Sequence, residues 1–180
     1  MKIDLSMTKQ VEKLLEERGI KKGDVKETIE HAESKKRKFY IPGEKRFLGK
    51  KKLDNVTMNV EYSAGKKGFD IITAYSHRAE LLENTSKPMV TSLGGKADIY
   101  GEDMDEMEVG GTVKKKLGIP WWCSKCEEKV VPANTEVTFM DIQRSMYTMT
   151  CLKCGLSMVE EQNAIQTLAA AEGLLEQKAA

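Results

Sequence analysis

The chain has 180 residues, of which 40% are hydrophobic, 32% charged and 6% aromatic, and its formal net charge is +1. Such a composition suits modest cores under a well-solvated surface and excludes a whole-chain field that would steer the protein to nucleic acid or to an anionic membrane. The length admits one domain or two small ones.

The N-terminal stretch MKIDLSMTKQVEKLLEERG is charged every few residues and lacks an apolar signal core, and no run approaches the roughly 18 apolar residues of a membrane span. A cytoplasmic protein is therefore expected, without membrane association. In a reducing compartment, four cysteines in two CxxC pairs point to metal ligands rather than structural disulfides.

Met7, Val11, Leu14 and Leu15 recur on helical spacing, which predicts an amphipathic helix over about 6–18 that Gly19 ends. A second helix is expected from Asp24, with Asp24 as its cap, Glu27 at the capping-box position and Val25, Ile29 and Ala32 as its apolar stripe. Lys35 to Lys38 would close it against the negative end of the dipole. Pro42-Gly43 marks a turn before Phe47 and Leu48, which suggest a third and a fourth strand beside a hairpin. In that hairpin Val56, Met58, Val60 and Tyr62 alternate with polar residues as in a half-buried strand, Ser63 to Gly68 supplies the turn, and Phe69 to Tyr75 returns. Residues 1–82 thus read as an α+β unit of two helices and an antiparallel meander. Residues 83–116 lose periodicity and collect glycines and an acidic cluster (Glu102, Asp103, Asp105, Glu106, Glu108), so they read as a linker to a second domain over 117–180.

The second domain is organised by Cys123-x2-Cys126 and Cys151-x2-Cys154, with 24 residues between the pairs. Two residues between ligands let each pair wrap as a knuckle that brings both sulfurs to one ion, and two knuckles complete a tetrahedron. Gly155 suits a knuckle because it adopts positive φ freely. Thr135 to Ile142 and Ser145 to Thr150 read as strands with a turn at Asp141 to Arg144, so the site is a metal ribbon with four cysteine ligands. Its own core of Trp121, Val130, Val137, Phe139, Tyr147 and Met149 is small, and the metal should supply much of its folding free energy. Four thiolates leave no open coordination position, which argues against Lewis-acid catalysis and hence against an enzyme built on this ion. Zinc is favoured over mononuclear iron because the knuckles lack the proline of rubredoxin-type CPxCG, but sulfur coordination alone serves both metals. Val159 to Lys178 reads as a terminal helix with Ile165, Leu168, Ala169 and Leu175 on one side and a small face at Ala169 to Ala171 and Gly173.

Residues from about 119 to 178, WWCSKCEEKVV…TMTCLKCGLSMVEEQ…AAEGLLEQK, resemble the small zinc-ribbon/rubredoxin-like proteins that accompany molybdenum- and flavin-containing oxidoreductases of anaerobic microbes. The resemblance implies a redox-associated accessory protein whose Cys123, Cys126, Cys151 and Cys154 carry the metal and whose protein partner is an oxidoreductase. The segment NVTMNVEYSAGKKGFDIITAYSHR bears a faint likeness to an accessory domain of such enzymes. No flavin, nicotinamide or molybdopterin motif is present, so that chemistry would belong to the partner.

A rival reading rests on Lys35 to Lys52, where nine basic residues stand against Glu44 and Phe39, Tyr40 and Phe47 interleave them, as in some single-strand nucleic-acid sites. Its plainer alternative has the aromatics in the core and the lysines as a solvated rim. The ribbon itself is close to neutral, which disfavours nucleic acid there. His31 and His77 read as surface histidines.

Overall fold

A computed structural model describes residues 3–88 and 119–179. It is mixed α+β, built as a six-stranded sheet sandwiched between two layers. The elements are β1 (Leu5–Ser6), α1 (Lys9–Glu17), α2 (Lys22–Lys35), β2 (Lys38–Tyr40), β3 (Arg46–Leu53), β4 (Val56–Ala64), β5 (Phe69–His77), β6 (Glu80–Leu81), a 3-10 turn (Glu83–Thr85) and β7 (Lys87–Pro88). After the undescribed segment come β8 (Trp122–Cys123), β9 (Val131–Phe139), β10 (Ile142–Thr150), β11 (Ser157–Met158), α3 (Glu161–Asn163), a π-helical segment (Ala164–Leu168) and α4 (Ala169–Ala179).

The first sheet runs β1-β5-β4-β3-β2-β8 and the second β11-β10-β9-β6, with β7 also on β9. The two halves of the chain therefore exchange strands. β8 of the cysteine segment pairs with β2 through Phe39–Cys123 and Tyr40–Trp122, while β6 and β7, which follow the first sheet in the chain, pair with β9. Residues 83–88, which the sequence places in the linker, are ordered as the 3-10 turn and β7; residues 89–116, with the acidic cluster, lie outside the described residues.

Alternation along β4 decides what each face of the first sheet meets. Met58, Val60 and Tyr62 point to the helices and join Leu15, Ile20, Val25 and Ile29 in one apolar cluster. Gly49 lets α2 close on β3, since a Cβ there would sit 2.7 Å from the Ala32 Cβ. The other face carries Thr57, Asn59, Thr73 and His77, and all of these are buried too. They are covered by the cysteine segment and its helix, whose Trp121, Cys123, Cys151, Met158, Ala164 and Leu168 share a second cluster with Phe39, Leu48 and Tyr75. The strand that reads as half-buried is thus buried on both faces.

Local departures have local causes. α2 begins at Lys22 behind Lys21, with no side-chain cap, so Asp24 is inside its first turn rather than at the cap; there it still faces the positive end of the dipole. Lys36 ends the helix in a left-handed conformation and Lys38 already belongs to β2. The ribbon hairpin turns at Met140 and Asp141, both at positive φ, rather than at Asp141 to Arg144, the geometry of a two-residue turn that matches strand twist. In the terminal helix the π segment shifts the register, so Ala164, Leu168 and Glu172 face inward while Ile165 and Ala169 are exposed. The small face at Ala169 to Ala171 points outward.

Candidate metal centre

Each knuckle is a short loop closed by its own backbone. In the first, the Cys123 carbonyl accepts from Glu127 N and the Cys123 amide donates to Glu128 O; in the second, the Cys151 carbonyl accepts from Gly155 N and the Cys151 amide donates to Leu156 O. The residue after each second cysteine is left-handed, Glu127 at φ 56° and Gly155 at φ 76°. The two loops are therefore copies of one conformation on a common Cys-x-Lys-Cys pattern, with Glu127 in the first standing where the second has Gly155. Pairing of β10 with β11 brackets the second loop. The pairing of β8 with β2, reinforced by Ser124 N donating to Lys38 O at 3.0 Å, holds the first.

This arrangement brings all four sequence-predicted residues together. The sulfurs of Cys123, Cys126, Cys151 and Cys154 lie within 4.8 Å of one another, and Cys123 and Cys154 are 3.7 Å apart. A tetrahedral ion with metal–sulfur bonds of about 2.3 Å has sulfur–sulfur edges of roughly 3.8 Å, so the group can hold a metal ion. None of the four is in a disulfide. Cys123 and Cys151 are buried while Cys126 and Cys154 are half-buried, so one edge of the group faces outward.

Burial pushes the Cys123 thiol up to about 12 and Cys126 up to about 11, the neighbouring sulfurs adding to both. Cys154 is lowered: burial opposes this, but the Leu156 N–H and the other three thiols outweigh it. Four sulfurs this close resist sharing four negative charges, and a divalent cation removes that obstacle while displacing the protons.

The surroundings fix the knuckles from the core side. Trp121 packs beside Cys123 and Cys151. Thr150, next to Cys151, belongs to a closed circuit of hydroxyls through Thr148, Thr135, Ser86 and Ser157, each contact between 2.5 and 3.0 Å. Buried hydroxyls must find partners, and here they find one another. The terminal helix is locked to the first sheet: Glu161 accepts from Arg18 and Thr73, both at 2.7 Å, and buried Glu172 accepts from the backbone N–H groups of Arg78 and Ala79, both at 2.8 Å. The Tyr75 hydroxyl donates to Val159 O at 2.8 Å.

Elsewhere the sequence expectations divide. In the basic stretch, Arg37, Lys38, Arg46, Lys50, Lys51 and Lys52 all form ion pairs with glutamates, Phe39 is fully buried and Phe47 packs against the helix-side core. His31 is half-buried. His77, read as a surface residue, is 2% exposed, and its Nε2 has no partner. The only sequence signal for that burial was its place at the end of a strand whose covering layer lies about a hundred positions further along the chain.

Residues 119–178 match the model of a family described as a domain of unknown function, DUF7479. That is a third of the chain, and it covers both knuckles, the ribbon and the terminal helix. No curated protein and no solved structure matches the chain. Among the described residues no helix is long and apolar enough to cross a membrane.

Proposed function

We propose that this is a non-catalytic accessory protein in which Cys123, Cys126, Cys151 and Cys154 bind one zinc ion that folds the ribbon, and which docks a protein partner, an oxidoreductase, in the cytoplasm. The observation that carries the reading is the pair of matching knuckles converging four sulfurs within 4.8 Å. A site saturated by thiolates has no position left for substrate, so the ion supports structure. The docking half of the proposal is supported by apolar side chains left outside the fold: Leu152 on the second knuckle is 49% exposed and Met140 at the hairpin tip 46%. The inner face of the terminal helix is already taken by the first sheet and is not available to another protein.

The same ligands suit mononuclear iron, and then the outward edge at Cys126 and Cys154 would pass electrons to the partner. Elemental analysis and a visible spectrum of anaerobically prepared protein separate the two. One zinc in a colourless protein supports the scaffold; one iron in a red protein makes it an electron carrier; protein purified and reconstituted without uptake of either metal overturns both. Nucleic acid is disfavoured by the ion pairing of the basic stretch, and a salt-sensitive gel shift at low ionic strength would reverse that judgement.

A further inference from the structure

The two knuckles are anchored in different sheets. The first belongs to β8, which pairs with β2 of the first sheet, and the second is bracketed by β10 and β11 of the second sheet. A bond between the knuckles is therefore a bond between the sheets. The sulfurs of Cys123 and Cys154, one from each knuckle and 31 positions apart in the chain, are separated by 3.7 Å. A disulfide has a sulfur–sulfur length of about 2.05 Å, so an approach of roughly 1.7 Å closes the pair.

Access differs from one sulfur to another. Cys123 and Cys151 are buried. Cys154 is half-buried and forms part of the wall of a cavity of about 270 Å³, with Asn84, Ser86, Thr150, Leu152 and Lys153 also in its lining. One wall is the 3-10 turn, which sits directly on the second knuckle: a Cβ at Gly155 would be 3.3 Å from the Glu83 carbonyl oxygen and 3.8 Å from Asn84 Oδ1. The hydroxyls of Ser86 and Thr150 each make two contacts within the buried circuit. A hydroxyl has three hydrogen-bonding positions, so one on each is left for a small polar guest. The space beside Cys154 suits a hydroperoxide better than a bulky disulfide.

We propose that Cys154 is a peroxide-reactive site, oxidised from this cavity and then joined to Cys123, so that a disulfide replaces the metal as the tie between the two sheets. The inference rests on the reading of the four cysteines as a zinc site and adds its regulation. The Cys154 thiolate attacks one oxygen of hydrogen peroxide; the O–O bond breaks, hydroxide leaves and Cys154 becomes a sulfenic acid. The Cys123 thiolate then attacks that sulfur, the S–S bond forms and a second hydroxide leaves. Two electrons pass from the pair of sulfurs to the peroxide, and two protons from solvent turn both hydroxides into water. Cys126 and Cys151 alone are an incomplete ligand set, and the zinc is lost to a competing chelator.

The test treats the zinc-loaded full chain with hydrogen peroxide, follows released zinc with a chromogenic chelator and maps the cysteine linkages by mass spectrometry after alkylation and proteolysis. One zinc per chain should be released with Cys123–Cys154 as the predominant linkage, and a dithiol reductant followed by zinc should restore the starting protein. Asn84→Phe, at an exposed position, narrows the cavity without touching a ligand. It should slow release at least about threefold, with an unchanged melting temperature before oxidation. The oxidised, zinc-free chain should melt about 5–10 °C above the reduced, zinc-free chain. Linkages confined to Cys123–Cys126 and Cys151–Cys154, sulfinic acid at Cys154 without a linkage, or equal release rates in Asn84→Phe and the wild type overturn the proposal. A chain that takes up no zinc sinks the zinc reading instead. The linkage is then mapped on that chain as it is: a Cys123–Cys154 bond upholds oxidation from the cavity, and any other pattern overturns it.

Discussion

The two faces of the first sheet are covered in opposite ways. Against α1 and α2 lies an apolar cluster of Leu15, Val25, Ile29, Met58, Val60 and Tyr62. Against the cysteine module the sheet offers Lys50, Thr57, Asn59, Thr73 and His77 among Phe39, Leu48 and Tyr75. A face of the first kind is driven shut by water, at about 25 cal/mol per Å² of apolar surface. A face of the second kind gains less from that term and is held by specific bonds, through Glu161, Glu172 and Tyr75, and by whatever ion the four cysteines could hold. One side of the sheet folds by composition and the other by connection.

The largest test removes the ion. Chelation, or Cys151→Ser at a buried ligand, is expected to destabilise the module by about 5 kcal/mol or more, with β9 and β10 losing amide-exchange protection. The helix-covered face should survive, because water solvates the uncovered lysine, amide and imidazole well; protection in α2 and β4 should persist. Simultaneous loss in all four elements would erase the distinction between the faces. Ile29→Ala is the converse. It empties a fully buried position in the helix-side cluster and should lower stability by about 3 kcal/mol, measured by denaturant midpoint, with metal stoichiometry unchanged. Metal loss from this variant under native conditions would show that the apolar face governs the module as well.

His77 makes the second face sensitive to acid. Burial is the main cause that brings its imidazole down to about 4 from 6.5, Lys50 adding to it while the Ala79 carbonyl and Glu172 oppose. Because the folded value is the lower one, the unfolded chain binds more protons between those two pH values. The stabilising effect of a neutral His77 is therefore complete above pH 6.5 and is lost as pH falls toward 4, amounting to about 3 kcal/mol at most. His77→Asn can keep the hydrogen bond to the Ala79 carbonyl and does not titrate. Melting curves should show a shallower pH dependence for the variant across this window, and parallel curves would remove His77 from the account. Protonation of the four cysteine thiols is common to both proteins and cancels in the difference.

What the sequence made legible follows from the range of each signal. Periods of 3.6 and 2 are local, so α1, α2, β4 and β5 and the cysteine knuckles could be read within windows of a dozen residues. The strand exchange could not be, because β8 meets β2 across some eighty positions and only two residues of each take part. For the same reason Thr57 and Asn59 read as solvent-facing: alternation marks two faces but does not say whether a second layer covers the polar one. The terminal helix was found by composition and spacing, and Leu168 of its expected stripe is buried and Leu175 half-buried, but Ala164 and Glu172 are buried in place of Ile165 and Ala169, in a helix whose 164–168 segment is π-helical. Glu172, an acid inside a helix, gave no sign that it would accept two backbone N–H groups.

The smallest effect lies within the module, where the two knuckles share a conformation and the pattern Cys-x-Lys-Cys but differ at the left-handed position that follows. At the left-handed position Gly155 has no side chain, and an added Cβ would come within 3.3 Å of the Glu83 carbonyl; Glu127 carries a full side chain at φ 56°. A left-handed non-glycine residue costs roughly 1 kcal/mol, offset in part by the extra freedom that glycine brings to the unfolded chain. Glu127→Gly should therefore stabilise the metal-bound protein by about 0.5 kcal/mol, or slightly raise metal affinity in a competition with a chelator, whereas Gly155→Ala should destabilise it by about 1–2 kcal/mol. If Glu127→Gly instead weakens metal retention, the side chain at 127 is holding the first knuckle, and the likeness of the two loops ends at the backbone.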